Sequence, residues 1–263
     1  MSEPSTIKIL RLANVDYVTL TRPEVRNAFN EHLIAEMTAW ADRAATDSSL
    51  CGVVVSGAGP SFCAGADLAW MAKMATYTRE ENLRDARAAA GMFAAIDRLP
   101  MPVIAQIHGA ALGGGAGLAA VADIVVAAED ATFGFTEVKL GLIPAVIAPY
   151  VLAKIGQSAA RELFVTGRRF SAGHARDIGL VHAIVPAEEL FDRVNKYLIE
   201  IAANGPEAMR AAKALIRRIA DVSIAEAAGI TAEAIAERRV SDEAQKMMKG
   251  FLKNNEKRRA KNE

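Results

Sequence analysis

Between Pro102 and Ala122 the chain carries no Asp, Glu, Lys or Arg. An uncharged run of this length leads either into a bilayer or into a protein core. The run also holds Gln106, His108 and five glycines, three of them consecutive at Gly113, Gly114 and Gly115. Exposed to lipid, such a helix would leave its backbone poorly supported. The pattern reads instead as a buried strand, a glycine turn and a buried helix. A soluble protein with no membrane partner is expected.

The segments around this run alternate between two periods. Ile7 to Leu12 and Tyr17 to Leu20 read as strands, with Ala13-Asn14 marking the turn between them. Asn30 is a good N-cap for a helix whose apolar positions Leu33, Met37, Trp40, Ala41 and Ala44 recur at helical spacing. Val53-Val54-Val55 is a short buried strand. The pattern predicts an amphipathic helix over Asn82 to Leu99, with Leu83, Ala86, Ala90, Phe93 and Ile96 on one face. Val103 to Ile107 and Ile124 to Val126 are further strands. Strand and helix in alternation, joined by short loops, predict an α/β fold. From Gly205 the character turns purely helical. Pro206 stands at a first helical position, Ser223 and Glu226 form a capping box, and Asp242-Glu243 open a last helix. The expected division is a core over 1–204 and a helical region over 205–263.

Composition narrows the function classes. The 263 residues include 31 Lys plus Arg and 31 Asp plus Glu, for a net charge of zero. No general electrostatic affinity for nucleic acid is expected. Cys51 and Cys63 are the two cysteines, too few for a disulfide framework or a cysteine-based zinc site. The N-terminus, Met1 to Lys8, lacks an apolar stretch behind a basic start, so no secretory signal is expected and the compartment reads as cytoplasmic. His32, His108, His174 and His182 have no metal-ligand spacing, and no metal is expected. Ser61 does not sit in a nucleophile elbow, and Cys63 reads as a small buried thiol.

Two glycine-rich loops carry the chemical signal. The first runs from Ser61 through Cys63, Ala64, Gly65, Ala66 and Asp67 to Leu68, and the second from His108 to Leu118. Each follows an apolar strand and leads into a helix. N–H groups at a helix start point outward and carry partial positive charge. Two of them facing one another would bind a developing oxyanion. The same glycines equally serve tight helix–strand packing, and the pattern alone leaves both readings open. The second loop lacks the Gly-Lys-Ser/Thr of a Walker phosphate loop.

These residues resemble a known family. Leu20-Thr21-Arg22-Pro23 with Asn27-Ala28-Phe29-Asn30, the two loops, Phe133-Gly134-Phe135-Thr136-Glu137, Gly141-Leu142-Ile143-Pro144 and Gly179-Leu180-Val181 are similar, in this order, to the crotonase (enoyl-CoA hydratase/isomerase) superfamily. The resemblance implies a spiral of repeated ββα units, with C-terminal helices that build a homotrimer or homohexamer. It also implies an acyl-CoA thioester substrate, with coenzyme A entering only as part of that substrate and no separate cofactor. The N–H groups of Ala66 and Gly114 match the family's oxyanion hole, and Glu137 matches one of its two catalytic glutamates. At the other glutamate's position stands Gly117, so the pair that grips water is incomplete.

With one carboxylate, two reaction types stay open. One is hydration across C2=C3 of an enoyl-CoA; the other is movement of a C=C bond from position 3 to position 2. A decarboxylase or thioesterase relative is more distant, and a rival from another class is a non-catalytic member that binds a CoA ligand or serves as a scaffold. Glu137 could also merely cap or pair at the surface. Phe133, Phe135, Leu140, Ile143 and Val146 are expected to wall its pocket. The run Ala145 to Tyr150 is similar to the bacterial methylglutaconyl-CoA hydratase branch, which points to a branched, dicarboxylic substrate. Lys73, Arg79 and Lys139 are the candidate cations for its distal carboxylate. By resemblance, Arg26 contacts CoA, and Ala64, Asp67 and Leu68 flank it through backbone atoms. Trp70, Gly113, Gly117 and Val146 complete the substrate-binding set, and Phe251 and Lys253 would reach a neighbouring subunit's CoA. The basic run from Lys246 through Lys257, Arg258, Arg259 and Lys261 reads mostly as a solvated tail.

Overall fold

β-branched residues favour the first strands, Ile7 and Ile9 in one and Val15, Val18 and Thr19 in the next. In a computed structural model that describes residues 5–262, with side chains through Lys253, β1 (Ile7–Leu12) turns at Ala13 into β2 (Val15–Leu20). Ala13 takes a left-handed φ of 50°, which closes this antiparallel hairpin. Helix α1 (Glu31–Thr46) follows, with the Asn30 side chain accepting from the Leu33 N–H as its cap. It buries Leu33, Met37, Trp40, Ala41 and Ala44, the stripe its periodicity predicts, and Ile34 besides. Next come β3 (Gly52–Gly57), α2 (Leu68–Met74), α3 (Arg79–Asp97), β4 (Val103–Ile107), β5 (Ala110–Leu112) and α4 (Gly114–Val121). The uncharged run thus folds as strand, glycine turn and buried helix. Among the described residues no helix is long and apolar enough to cross a membrane.

Strand β6 (Ile124–Ala128) and β7 (Thr132–Gly134) lead through a 3-10 turn at Glu137–Leu140 to α5 (Ala148–Thr166). Then β8 (Arg169–Ser171), α6 (Ala172–Asp177), β9 (Ala183–Val185) and α7 (Leu190–Ala202) follow. The larger sheet has the order β1-β2-β3-β4-β6-β9, and a smaller one the order β5-β7-β8. Apart from the β1–β2 hairpin, the pairs of the larger sheet are all parallel. The chain visits the two sheets in turn: β4 then β5 before α4, β6 then β7 before α5. This is the repeated ββα spiral. Strands buried on both faces need continuous apolar runs, which Val53 to Val55, Val103 to Ala105 and Val125 to Ala128 supply. Each such Val or Ile contributes about 1.5–3 kcal/mol on burial.

Helix α3 departs from its expected form. It begins at Arg79, three residues early, because Thr78 and Glu81 build a full capping box. Of the expected face only Phe93 and Ile96 are buried, together with Met92; Leu83, Ala86 and Ala90 are exposed. Helix α3 packs on α1 and α4, and its buried residues fall in its last turns.

The chain divides after Leu198 into two compact units. The second holds α8 (Pro206–Ile219), α9 (Ile224–Val240) and α10 (Asp242–Asn262). Glu243 caps α8 by accepting from the Glu207 and Ala208 N–H groups, both at 2.9 Å, and takes the Arg238 guanidinium at 2.6 Å. Ser223 and Glu226 form the capping box of α9. On α10 Met247, Met248, Phe251 and Leu252 form an exposed apolar surface. Met1 to Pro4, and the side chains of Lys257, Arg258, Arg259 and Lys261, lie outside the described residues.

Candidate active site

A left-handed pair anchors the first loop. Arg26 and Asn27 have φ of 54° and 57°. Asn27 is fully buried; its Oδ1 accepts from the Arg22 N–H at 2.9 Å, and its Nδ2 donates to the Ala58 and Ser61 carbonyls, both at 2.8 Å. The Ala64 N–H donates to the Arg26 carbonyl. Phe29 clasps the first loop on both sides: its N–H donates to Gly65, and its carbonyl accepts from Asp67. Cys63 pairs with Ala110 and Leu112, which ties the first loop to β5 and so to the second.

The glycines of the second loop have separate duties. Side chains at 109 and 115 would strike the Pro60 and Cys63 carbonyls, so these two serve packing. Gly113 takes φ 51°, ψ −119°, and a Cβ there would lie 3.3 Å from Glu137 Oε1. Gly114 opens α4 against the Phe29 ring. Neither the Gly114 N–H nor the Ala66 N–H has a hydrogen-bond acceptor among the described residues. Both residues line one cavity of about 220 Å³, with Glu137, Trp70, Val146, Phe29, Met92, Phe93, Ile143 and Ile147 among its walls.

Glu137 is the titratable group of this cavity. Its Oε2 is buried without a hydrogen-bond partner. Burial pushes its pKa above the ordinary carboxylate value, and its own backbone N–H offsets this only in part. It can therefore hold or release a proton nearer neutrality than a surface glutamate does. It is not a solvated surface group.

A second cavity, of about 590 Å³, is lined by Arg26, Ala64, Ala66, Asp67, Leu68 and Arg169, among others. Ala66 belongs to both cavities. The Asp67 carboxylate caps α2 and pairs with Arg22. A polar cavity of about 670 Å³ adjoins Trp70 and Asp67, but holds neither Glu137 nor Gly114. Four of its charged residues pair, Lys73 with Glu31 and Arg22 with Asp67, both at 2.6 Å.

Some expected site residues stand elsewhere. Gly117 is buried inside α4 and does not line the cavity; Ile147 stands in front of it. Phe133 and Phe135 are fully buried against Phe170 and Phe164, in the core behind the small sheet rather than on the cavity wall. Leu140 is 61% exposed, while Ile143 and Val146 do line the cavity. None of Lys73, Arg79 and Lys139 lines it: Lys73 pairs with Glu31, and Arg79 and Lys139 are exposed. Phe251 and Lys253 are exposed on α10. The sequence reading missed Arg169, Phe29, Met92 and Ile147 as lining residues; for Ile147, its place in the run after Pro144 was the available signal.

Other candidates resolve into structure. Burial pushes the Cys63 thiol up to about 12, which makes it unreactive. His108 Nε2 bonds the Gly59 carbonyl at 2.8 Å, and His182 Nδ1 accepts from the Val125 N–H at 2.9 Å. Among the described residues no group of His, Cys, Asp and Glu could hold a metal ion.

The ββα spiral and its apolar cavity, with Ala66, Gly114 and the buried Glu137 carboxyl on its wall, match one class of enzyme. Residues 11–263 match the family model of enoyl-CoA hydratase/isomerase, and the chain belongs to that family. A crystal structure from Legionella pneumophila, described as an enoyl-CoA hydratase/isomerase (crotonase), is 42% identical, with a TM-score of 0.90 over 95% of this chain and 97% of that one. The short-chain-enoyl-CoA hydratase of Clostridium acetobutylicum is 31% identical over 252 residues, 95% of either chain. The 2,3-dehydroadipyl-CoA hydratase of Escherichia coli is 33% identical over 221 residues, 84% of this chain and 85% of that protein.

Proposed function

We propose that the chain hydrates a short, uncharged 2-enoyl-CoA, with Glu137 as the single acid–base group. The carrying observation is the unpartnered Oε2 of Glu137 in a cavity also lined by Ala66 and Gly114, whose N–H groups have no acceptor among the described residues. The thioester oxygen would accept from those two N–H groups. Glu137, ionised, would take a proton from water as the water oxygen bonds C3. The π electrons of C2=C3 then pass into the thioester enolate. The same proton returns from Glu137 to C2, and the carboxylate is regenerated. Each step uses a donor or base already fixed in a water-poor site, where such interactions are strong.

The resemblance points to a dicarboxylic substrate such as 3-methylglutaconyl-CoA. The cavity favours an uncharged acyl group instead, because no Lys or Arg lines it among the described residues. At about 220 Å³ it is smaller than the roughly 300–1,000 Å³ of typical ligand sites, which suits a short acyl group. Arg26 and Arg169 line the second cavity and would meet the phosphates of CoA. The exposed apolar surface of α10 would serve a subunit contact in a homotrimer or homohexamer, which light scattering measures directly.

A second reading rests on Gly117. With no carboxylate there to help grip water, Glu137 could instead take a proton from C2 of a 3-enoyl-CoA and return it to C4. A mass-spectrometric assay decides between the two. Offered crotonyl-CoA, 3-methylglutaconyl-CoA and a 3-enoyl-CoA separately, the protein should add one water to crotonyl-CoA most efficiently. Conversion of the 3-enoyl-CoA without mass gain would establish the isomerase instead. Glu137→Gln should abolish either turnover while acyl-CoA binding persists; undiminished turnover removes Glu137 from the mechanism.

A further inference from the structure

Gly117 and Ile147 occupy one volume between them. A Cβ built on Gly117 would fall inside the Ile147 side chain, and would lie 3.1 Å from the Phe93 ring. Ile147 is 3% exposed and lines the small cavity beside Phe93 and Val146. It cannot easily turn away. It is the residue just before α5, its carbonyl accepts from the Tyr150 and Val151 N–H groups, and a β-branched side chain is stiff at χ1. The absent side chain at 117 and the bulky one at 147 are therefore a single packing arrangement, not two independent features.

We propose that Ile147 is the specificity-determining residue of this cavity: it forms a wall of the acyl pocket in the space that a side chain at 117 would otherwise fill. This rests on the reading that the small cavity receives the acyl group. Two consequences follow from the shape. The wall limits how long an acyl chain fits. It also keeps the pocket to one carboxylate, since a glutamate at 117 has no room while Ile147 stands.

The test uses the full-length protein with Ile147→Ala, Gly117→Ala and the double variant. Calorimetry gives the affinities of butanoyl-, hexanoyl- and octanoyl-CoA, which need no turnover, and thermal unfolding gives stability. Ile147→Ala should shift the octanoyl-to-butanoyl affinity ratio toward the longer chain by about tenfold or more. Gly117→Ala alone should lower Tm, and should lower it less when Ile147 is already alanine. A chain-length ratio unchanged in Ile147→Ala, with binding intact, overturns the assignment to Ile147. So does a Gly117→Ala change equally harmful in both backgrounds. Failure of wild type and Ile147→Ala alike to bind any of the three thioesters overturns the reading of the cavity itself, and the proposal with it.

Discussion

Asp67 ties three segments together through one carboxylate: Oδ1 accepts from the Ala69 N–H at 2.8 Å at the start of α2, and Oδ2 lies 2.6 Å from Arg22 Nη2. Arg22 in turn donates to the Ala28 carbonyl at 2.8 Å. The frame around Ala66 depends on this pair.

Asp67→Ala should therefore destabilise the protein by about 3 kcal/mol, the lower end for breaking a buried pair, since Arg22 keeps some exposure. Burial opposes ionisation of Asp67, but the hydrogen bonds from Arg22, Ala69 and Trp70 outweigh it and hold the carboxyl below its usual value. Its stabilisation is thus present above the ordinary carboxylate pKa and lost as pH falls through the depressed one. Urea unfolding at pH 7 and at pH 3 reads both effects. A variant whose deficit is as large at the acid end as at neutrality would count against the ion pair.

Glu137 has the opposite sign. Its pKa lies above the reference value of 4.5 because burial penalises the charge. At acid pH it is protonated folded and unfolded, with no penalty; as pH rises through the raised value, the folded state alone carries a buried charge. Glu137→Gln should be more stable than wild type at pH 8, and the gap should narrow toward pH 4. The acid limb of wild-type kcat/KM should have its midpoint above the ordinary carboxylate range, since proton abstraction needs the ionised form. Unfolding temperatures of both proteins across that range, with one pH–rate profile, supply the check.

Gly114 has the Phe29 ring 2.8 Å from where a Cβ would stand. Gly114→Ala should displace the loop and misalign its N–H. The loss of one oxyanion donor costs about 10²–10³ in kcat. Steady-state kinetics should show that fall in kcat with a much smaller change in KM. A kcat within threefold of wild type would take Gly114 out of the oxyanion hole.

Asn27 makes its three hydrogen bonds while fully buried at φ 57°. Asn27→Ala should lose about 3 kcal/mol, roughly 1 kcal/mol for each bond. Asn27→Gly tolerates the left-handed backbone yet lacks the same bonds, so it should recover only part. Full recovery with glycine would mean the conformation, not the bonding, carries the effect.

Local chemistry was legible in the sequence. Asn30 caps α1, and Ser223 with Glu226 caps α9, because capping depends on residues three apart. The glycine turn was legible because no other residue takes the Gly113 conformation easily. Side-chain direction inside a doubly covered sheet was not. Phe133 and Phe135 flank Glu137's segment, yet Phe133 stacks on Phe170 and Phe135 meets Phe164 edge to face, while Phe29 and Met92 come from distant segments to wall the cavity. Gly117 and Ile147 meet only because the turn after β7 carries the chain back over α4. The exposure of Leu83 was illegible for a related reason: helical period says which residues share a face, not whether anything lies opposite.

Ala66 stands at the partition between the two cavities, on the wall of both. In the proposed reading the reactive carbonyl rests on that partition, with a common handle on one side and a variable cargo on the other. Exchange of residues in the cargo compartment can then change which acyl group is accepted, while the grip on the handle and the electrophile stays the same. A backbone N–H is present at 66 for any residue but proline, so the one contact every substrate must make is the contact least exposed to mutation.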